Sequence, residues 1–570
     1  MRGDIQFCRA GWAEGGRGEG SRVLYCLQGR PYKGEKKMKK SLFLLIIAAI
    51  FAVSGCQSTY EPSPEEHTLV ILHTNDHHGH PLAFYDYPAP DQGGLPARAT
   101  LVQQERAANP YVMVLDAGDF NTGRPESNFF KAEPDIIGYN YIGYDAVAVG
   151  NHEFDPTPEV MQRQISLSDF PWLCANVKTK DGKNIPGVQS YFIKDYGEFR
   201  VAVFGLLQKE TEQSGNPANI EGYVFLDEVE TAQALVPELE KKADIVIALV
   251  HMGLYNGEMR GSRRLAAEVP GIDLIIDGHT HTMVETPVMV TNIQTGIDVP
   301  IVQAKHWGLY MGEVTLTFQN GEVLSSDYEL IPVNVRTRKK MADGSSTYPT
   351  VGPEIAEDKK LSAALRIYSQ NVTAVLSQVI GTAEAPFIND KTREQETAIG
   401  DAVADSMLWY ANEMGQNVEF AFQNGGGVRT TLPDGEIQKS TIYEVLPFDN
   451  SVAVSTMKGS DVIALFDRTP ETVGQGAMPQ VSDGVKLVID SASGTVKSLS
   501  INGAPVDPDR MYKIATNSYL AAGGDGYTVF TKAVDVYDMA MMQRDVFIDW
   551  VVKKKNGVLK PETFGRIVIE

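Results

Sequence analysis

The chain has 570 residues, 43% hydrophobic and 22% charged, which is the balance of a globular protein and not of a disordered or fibrous one. Its length exceeds what one hydrophobic core supports, so two domains are expected. The formal net charge of −22 argues against a nucleic acid polymer as partner, since such polymers are bound through excess Lys and Arg. A small phosphate ligand stays compatible with it, because bound metal ions can invert the local field. No obligate protein partner is inferred.

The amino terminus carries a targeting signal. Two lysines precede an apolar run over 42–53, which is too short to span a bilayer but typical of a signal peptide. The run leads into Val-Ser-Gly-Cys56, which resembles the bacterial lipobox, whose cysteine is acylated and becomes the first mature residue. We therefore predict a signal peptide over 38–55 and a membrane anchor at a lipidated Cys56. Because Gln57 follows, the resemblance implies the outer membrane of a Gram-negative bacterium; an ordinary secretory signal is the alternative.

Two further segments near this signal lie outside the predicted core. Residues 1–37 would delay the signal peptide, so we expect translation to begin at Met38 and the preceding residues to be an over-extended gene model. Residues 56–66 are polar and contain prolines, which predicts a tether. Apart from the anchor, the mature chain has only Cys174, so no intramolecular disulfide is expected.

From residue 67 onward, short β-branched runs alternate with helical stretches, which predicts an α/β fold. Continuous apolar runs of this length are typical of strands buried on both faces. The predicted strands are 68–72, 111–115, 146–149, 201–204, 245–250 and 274–276. They define a first domain over 67–350, followed by a connector helix over 351–376.

A second domain is predicted over about 371–570. It opens with a helical pattern over 397–414 and continues with strands such as 418–422 and 485–489. Its glycine-rich loops begin at Asn424 and Gly523.

Polar motifs follow or adjoin the strands of the first domain. In open α/β sheets, sites gather beyond the carboxyl ends of the strands, so these motifs are expected to form one cluster. Carboxylate, imidazole and amide ligands together suit two divalent cations, with Asp119 after Gly118 as the best bridging carboxylate. These ligand types allow Zn²⁺, Mn²⁺, Co²⁺ or Mg²⁺. The candidate metal ligands are Asp76, His78, Asp119, Asn151, His251, His279 and His281.

The order of these motifs resembles the bacterial periplasmic 5′-nucleotidase/UDP-sugar hydrolase family, and the resemblance covers residue 68 to the carboxyl terminus. It implies a four-layer αββα metallophosphoesterase domain, a helical connector and an α/β nucleotide-binding domain. It also implies one metal bound by Asp76, His78, Asp119 and His281, and a second bound by Asp119, Asn151, His251 and His279. Many relatives have Gln or Asn where His281 stands.

The resemblance assigns further roles. His152 takes the family's catalytic position, and Asp155, three residues later, can orient its imidazole and favour the charged form. Phe448 and Tyr519 match two rings that stack on the base, and Asp525 matches a carboxylate that contacts the ribose. The remaining substrate-binding candidates, on the phosphate and ribose side or beside the stacking ring, are Arg393, Asn424, Arg429 and Asn450. Some relatives have a further Arg where Asn389 stands, so binding of a second substrate phosphate is in question here.

The expected function is hydrolysis of nucleoside 5′-monophosphates by a two-metal-activated water, with other 5′-nucleotides and UDP-sugars as further candidate substrates. Two alternatives stay open. The first is a 2′,3′-cyclic-nucleotide phosphodiesterase/3′-nucleotidase of similar architecture. The second is a surface binding lipoprotein that has kept the fold and lost the chemistry.

Overall fold

The computed structural model describes residues 60–86, 89–214, 217–255 and 259–570. The predicted gene-model extension, the signal peptide and Cys56 lie outside these residues. Within them, no helix combines the length and the apolar character that crossing a membrane requires.

The first domain contains nineteen strands and eight α-helices among the described residues, and a ninth helix follows it. The strands are β1 His67–Thr74, β2 Phe84–Asp86, β3 Ala89–Gln92, β4 Val112–Asp116, β5 Ala146–Ala148, β6 Trp172–Leu173, β7 Val177–Thr179, β8 Val188–Gln189, β9 Tyr191–Asp195, β10 Arg200–Leu207, β11 Tyr223–Phe225, β12 Ile245–His251, β13 Leu274–Ile276, β14 Val288–Thr291, β15 Asp298–Val302, β16 Tyr310–Gln319, β17 Glu322–Pro332, β18 Lys339–Lys340 and β19 Ser346–Thr347. The helices are α1 Leu95–Ala108, α2 Pro125–Asn128, α3 Glu133–Ile142, α4 Pro158–Leu167, α5 Thr211–Ser214, α6 Pro217–Ile220, α7 Glu228–Leu239, α8 Ser262–Glu268 and α9 Lys359–Leu376.

Two sheets form the centre of this domain. One has the strand order β17-β16-β1-β4-β5-β6-β8, and the other has the order β14-β15-β13-β12-β10-β9. Strands β1, β4, β5, β6 and β8 are parallel, as are β10, β12, β13 and β15. All six predicted strands are confirmed, and every residue of β12 is buried, as expected for a strand covered on both faces.

The side chains of β1 show how the layers stack. Leu69 and Ile71 point into a core shared by the two sheets. Val70 and Leu72, on the opposite face, pack in a second core with α1 and α3. A third core lies between the other sheet and helices α7 and α8. The order is therefore helix, sheet, sheet, helix, which confirms the expected αββα arrangement.

The predicted tether over 56–66 is wrong for its last seven residues. The Ser63 N–H donates to Asp244 Oδ1 at 2.7 Å, and the Tyr60 hydroxyl donates to the other oxygen of the same carboxylate. The segment therefore packs against the start of β12. Its polar composition gave no sign of this contact because the partner lies more than 180 residues away.

The connector also differs from the expectation. The predicted helix over 351–376 begins only at Lys359, because the Asp358 carboxylate caps its amino end by accepting from the N–H groups of Lys360 (3.0 Å) and Leu361 (2.9 Å). Residues 351–358 precede the helix.

The second domain is a mixed α/β unit with three sheets. Its strands are β20 Val379–Ala383, β21 Phe420–Asn424, β22 Gly435–Gln438, β23 Ser451–Lys458, β24 Pro479–Val481, β25 Val485–Asp490, β26 Thr495–Ile501, β27 Ala504–Pro505, β28 Met511–Asn517, β29 Asp535–Met542, β30 Val558–Leu559 and β31 Ile567–Ile569. Its helices are α10 Ala398–Glu413, α11 Lys439–Val445, α12 Gly459–Asp467, α13 Thr469–Thr472, α14 Ser518–Ala521 and α15 Gln543–Asp549. The largest sheet, β24-β21-β28-β23-β29, carries α10 on one face and α12 on the other.

Candidate active site

All seven candidate metal ligands lie at the carboxyl ends of parallel strands. They follow β1, β4, β5 and β13, or in one case end β12. Five of them have left-handed backbone conformations, with φ between 45° and 77°. Non-glycine residues seldom adopt this region, and they cluster at functional sites when they do. These five are Asp76, His78, Asp119, His279 and His281.

The first group of ligand atoms joins the loop after β1 to the loop after β13. His78 Nε2 lies 3.1 Å from His281 Nε2, and His281 Nε2 lies 3.2 Å from Asp76 Oδ1. His78 Nδ1 lies 3.0 Å from the carbonyl oxygen of Asn121, which can only accept, so Nδ1 carries the hydrogen. The lone pair of Nε2 in the neutral ring is therefore free to bind a metal.

The second group is built in the same way. His251 Nδ1 donates to the carbonyl oxygen of Ala117 at 2.8 Å, which leaves Nε2 facing Asp119 Oδ2 at 3.0 Å. Nε2 is buried and makes no hydrogen bond within the described part of the chain. His279 Nδ1 lies 2.9 Å from Asn151 Oδ1. The second group therefore brings imidazole, amide and carboxylate ligand types together around Asp119.

Asp119 stands between the two groups. Its Oδ2 lies 3.0 Å from His251 Nε2 and 3.8 Å from His78 Nε2, so one carboxylate reaches both sets. Burial lowers the pKa values of His78, His279 and His281 well below the ordinary value, which keeps these rings in the neutral, metal-binding form. The donor set therefore fits two divalent ions that share Asp119.

His152 lies beside the two groups with its ring held by Asp155. Its Nδ1 is 2.6 Å from Asp155 Oδ2, and its Nε2 is 3.9 Å from Asp119 Oδ2. Thr122 donates to the same Asp155 oxygen at 2.5 Å. Burial lowers the pKa of the His152 imidazole, but the carboxylates of Asp155 and Asp119 outweigh burial and raise the pKa above its ordinary value. The ring is thus both oriented and biased toward its charged form.

Two buried residues of this site escaped the sequence analysis. Glu153 accepts from the backbone N–H groups of Gly150 (2.7 Å), Asp119 (3.1 Å) and Phe120 (2.9 Å), and so ties two ligand loops together. Gln208 directly follows β10, and its Nε2 lies 2.9 Å from His279 Nε2. The rule that polar residues after strands form the site would have found Gln208.

The second domain contributes one wall of a cavity of about 550 Å³ that opens onto the ligand groups. All seven substrate-binding candidates line it, whereas Asp76, His78 and His251 lie behind the surface. The other four metal-ligand candidates line it together with His152 and Asp155. The structure therefore brings both sets of predicted residues to one cavity.

A hydrogen-bonded trio marks one side of the cavity. Asp525 accepts from Asn424 Nδ2 and from the Tyr519 hydroxyl, both at 2.8 Å. A Cβ atom at Gly524 would meet the Tyr519 ring at 2.4 Å, so glycine is what lets this ring lie flat against the loop. On the other side, the Phe448 ring lies 5.8 Å from the His152 ring at an interplanar angle of 29°. Asn450 follows in the same loop.

Two arginines point to an anion between these sides. Burial and the charge of Arg393 lower the pKa of Arg429 to about 10, and burial also lowers the pKa of Arg393. Arg429 Nη2 lies 3.4 Å from His78 Nε2, and its guanidinium carbon lies 5.8 Å from the Phe448 ring centre. Two cations held together beside the ligand groups form a suitable place for a phosphate.

Contacts between the domains hold the loop that carries Phe448. Asn128 Nδ2 donates to the carbonyl oxygen of Pro447 at 3.2 Å, and Lys131 Nζ lies 3.3 Å from Asp449 Oδ2. The same loop therefore contacts the first domain on both sides of the aromatic ring.

Comparisons with known proteins agree with this geometry. The family model of calcineurin-like phosphoesterases matches residues 69–283, and the model of the 5′-nucleotidase C-terminal domain matches residues 379–532. The 5′-nucleotidase of Vibrio cholerae is 34% identical over 90% of this chain and 96% of that protein. Protein UshA of Escherichia coli is 33% identical over 86% of this chain and 92% of its own length. The crystal structure of a 5′-nucleotidase precursor from Thermus thermophilus superposes with a TM-score of 0.77 at 30% identity and covers 88% of this chain and 99% of that one.

Proposed function

The chain belongs to the 5′-nucleotidase family, and from this premise we propose that it hydrolyses nucleoside 5′-monophosphates to nucleoside and orthophosphate. It is a metal-dependent phosphoric monoester hydrolase. The observation that carries the proposal is a cavity lined by four metal-ligand candidates and by all seven substrate-binding candidates. A 5′-monophosphate spans these two sets, with its base and ribose on the second domain and its phosphate on the first.

Divalent ions would be held by the two ligand groups that share Asp119. Bound there, such ions would lower the pKa of a water molecule and polarise the phosphoryl oxygens. The identity of the ions is left open among Zn²⁺, Mn²⁺, Co²⁺ and Mg²⁺, since the ligand types accept each of them.

The chain's own residues do the rest. Arg393 and Arg429 hold the phosphate by charge, and Phe448 and Tyr519 hold the base by stacking. Charged His152, oriented by Asp155, stabilises negative charge on the phosphoryl oxygens and can donate its Nε2 proton to the departing ribose oxygen. Asp525 and Asn424 contact the ribose, and Asn450 lies beside the stacking ring.

A substrate panel tests the proposal. We expect phosphate release from AMP to exceed release from 3′-AMP and 2′,3′-cyclic AMP, and UDP-glucose and ATP measure how far the activity extends. Preference for the cyclic or 3′ substrate would instead indicate the phosphodiesterase. His152→Ala should lower turnover by a large factor, to a small but measurable rate, without loss of bound metal, whereas His67→Gln, at the opposite end of β1, should have little effect. Absence of turnover with every substrate would favour the non-catalytic binding protein.

We further propose that Cys56 is lipidated and anchors the protein to the outer membrane. The support is the basic and apolar leader that ends in Val-Ser-Gly-Cys56, followed by Gln57. Intact-mass analysis of membrane-extracted protein should show the added acyl chains. Cys56→Ser should remove that mass and release the protein from the membrane fraction, while an unchanged mass and location would contradict the anchor.

A further inference from the structure

The two ends of the sheets in the first domain carry different kinds of residues. Their carboxyl ends carry the ligand groups. Their amino ends form a second face, here called the strand-start face, defined by Tyr60, Arg200, Asp244, the hairpin turn 292–297 and the turn at Asn320. Parallel strands place these starts together, since β10, β12 and β15 all begin at this end.

The described chain begins on this face and is held there firmly. The carboxylate of Asp244 binds the Tyr60 hydroxyl and the Ser63 N–H, and the Arg200 guanidinium carbon lies 4.8 Å from the Tyr60 ring centre. The Asn320 N–H donates to the Ser63 carbonyl oxygen at 2.8 Å. Tyr60, the first described residue, is therefore fixed on the strand-start face.

The hairpin turn on this face exposes two isoleucines. Ile293 is 75% exposed and Ile297 is 66% exposed, although turns are usually polar. The turn is nevertheless well fixed. Buried Asn292 donates from its side chain to the Ala266 carbonyl oxygen at 2.9 Å, and the Ile293 N–H donates to the Ala267 carbonyl oxygen at 2.9 Å. The fold thus holds two aliphatic side chains rigidly in water.

The spacing connects these isoleucines with the anchor. Tyr60 stands four positions after Cys56, so an extended chain spans at most about 14 Å between them. Strand β15, which follows the turn, is separated from β12 by one strand, so the turn lies roughly 10 Å from Asp244 along the sheet. A membrane-inserted Cys56 would bring the turn to the bilayer surface.

We propose that the strand-start face rests on a lipid bilayer, with Ile293 and Ile297 inserted among the lipids and the active site directed away from it. This inference rests on the lipidation of Cys56 proposed above. The contact is made by the two isoleucines, and the positive charges of Arg200 and Lys241 near this face are each offset by a carboxylate, Asp195 and Glu238. The bilayer would then add affinity beyond the acyl chains and limit the orientations that the enzyme adopts.

Fluorescence of the lipidated full-length protein on vesicles tests the proposal. An environment-sensitive label is attached at Ile293→Cys, and a matched control label at Met259→Cys, which is also exposed but follows the carboxyl end of β12. Cys174 is buried and should not react. On phosphatidylethanolamine/phosphatidylglycerol vesicles we expect brighter emission and strong quenching by brominated lipid at 293 only, with little dependence on salt.

The outcomes separate the two proposals. If the protein fails to float with the vesicles, the lipid anchor at Cys56 is wrong, and the proposed orientation on the bilayer is rejected with it. The proposed hydrolysis of AMP does not depend on this result. If the protein floats but the label at 293 is no more quenched than the label at 259, the orientation alone is overturned. Crosslinking between labels at 293 on two copies, without quenching, would show that the face is covered by a second copy instead. The double variant Ile293→Ser/Ile297→Ser should dissociate from the vesicles at a higher rate than the parent protein.

Discussion

The substitution Asp155→Asn tests whether the carboxylate of Asp155 promotes phosphate release by keeping the His152 imidazole charged. The substitution keeps an oxygen that can accept from His152 Nδ1 but removes the negative charge 2.6 Å away. A hydrogen bond to a charged group contributes about 1.5–3 kcal/mol. Since each 1.4 kcal/mol changes a rate about tenfold, kcat for AMP should fall roughly 10- to 150-fold with little change in KM.

Two further variants set the scale. Asp155→Ala removes the acceptor as well as the charge, so it should lose more activity than Asp155→Asn. Thr122→Val removes one hydrogen bond to the same carboxylate and leaves its charge in place, so it should cost less activity than Asp155→Asn. Initial rates of phosphate release at saturating metal, with thermal melts as a folding control, give this order.

A double-mutant cycle decides whether Asp155 acts through the imidazole. In that case His152→Ala/Asp155→Asn should be no slower than His152→Ala alone, because the partner of the carboxylate is already gone. Additive losses would show that Asp155 acts independently. Activity of Asp155→Asn within twofold of the parent would refute the reasoning altogether.

Three other changes should have distinct signatures. A Cβ atom at Gly150 would lie 2.3 Å from Asp119 Oδ1, so Gly150→Ala should displace the shared carboxylate and lower both bound metal, by elemental analysis, and turnover, by about a hundredfold or more. Burial raises the pKa of Asp273 to about 7 from 3.8 in the unfolded chain, so the parent loses stability as pH rises through that window. Asp273→Asn should therefore gain a few degrees in Tm relative to the parent at pH 8 but not at pH 3.5, and equal shifts at both would contradict this cause. Chelator dialysis should reduce AMP hydrolysis to below about one per cent, and readdition of a divalent ion should restore it; full activity after dialysis would exclude the metal mechanism.

The strands and the residues that follow them could be predicted because both signals are local. A buried parallel strand is a continuous apolar run, and its carboxyl end is marked by the next polar residue, which is Asn151 after the run 146–149 and His251 after the run 245–250. Gln208 obeys the same rule after β10 and was missed for lack of a companion motif.

Other features could not be predicted because their causes lie far along the chain. Glu153 looks like an ordinary acidic residue after His152, and its role appears only when Asp119 and Phe120 come within reach from 33 or more residues away. Tyr60 and Ser63 lie in a polar segment that contains prolines. This segment is docked on the domain because both residues hydrogen-bond to Asp244, which is far away in the sequence.

The left-handed backbone at five ligand positions restricts which sequences could ever occupy them. Asp, Asn and His are the non-glycine residues most tolerant of that conformation, and two of them are also good metal ligands. The residue at each position must therefore meet two requirements: its side chain must be able to bind the metal ion, and its backbone must accept a positive φ. Substitutions at Asp76 or Asp119 that aim to change the metal preference should therefore use Asn or His. Glu and Gln also offer an oxygen ligand, but they adopt a positive φ less readily.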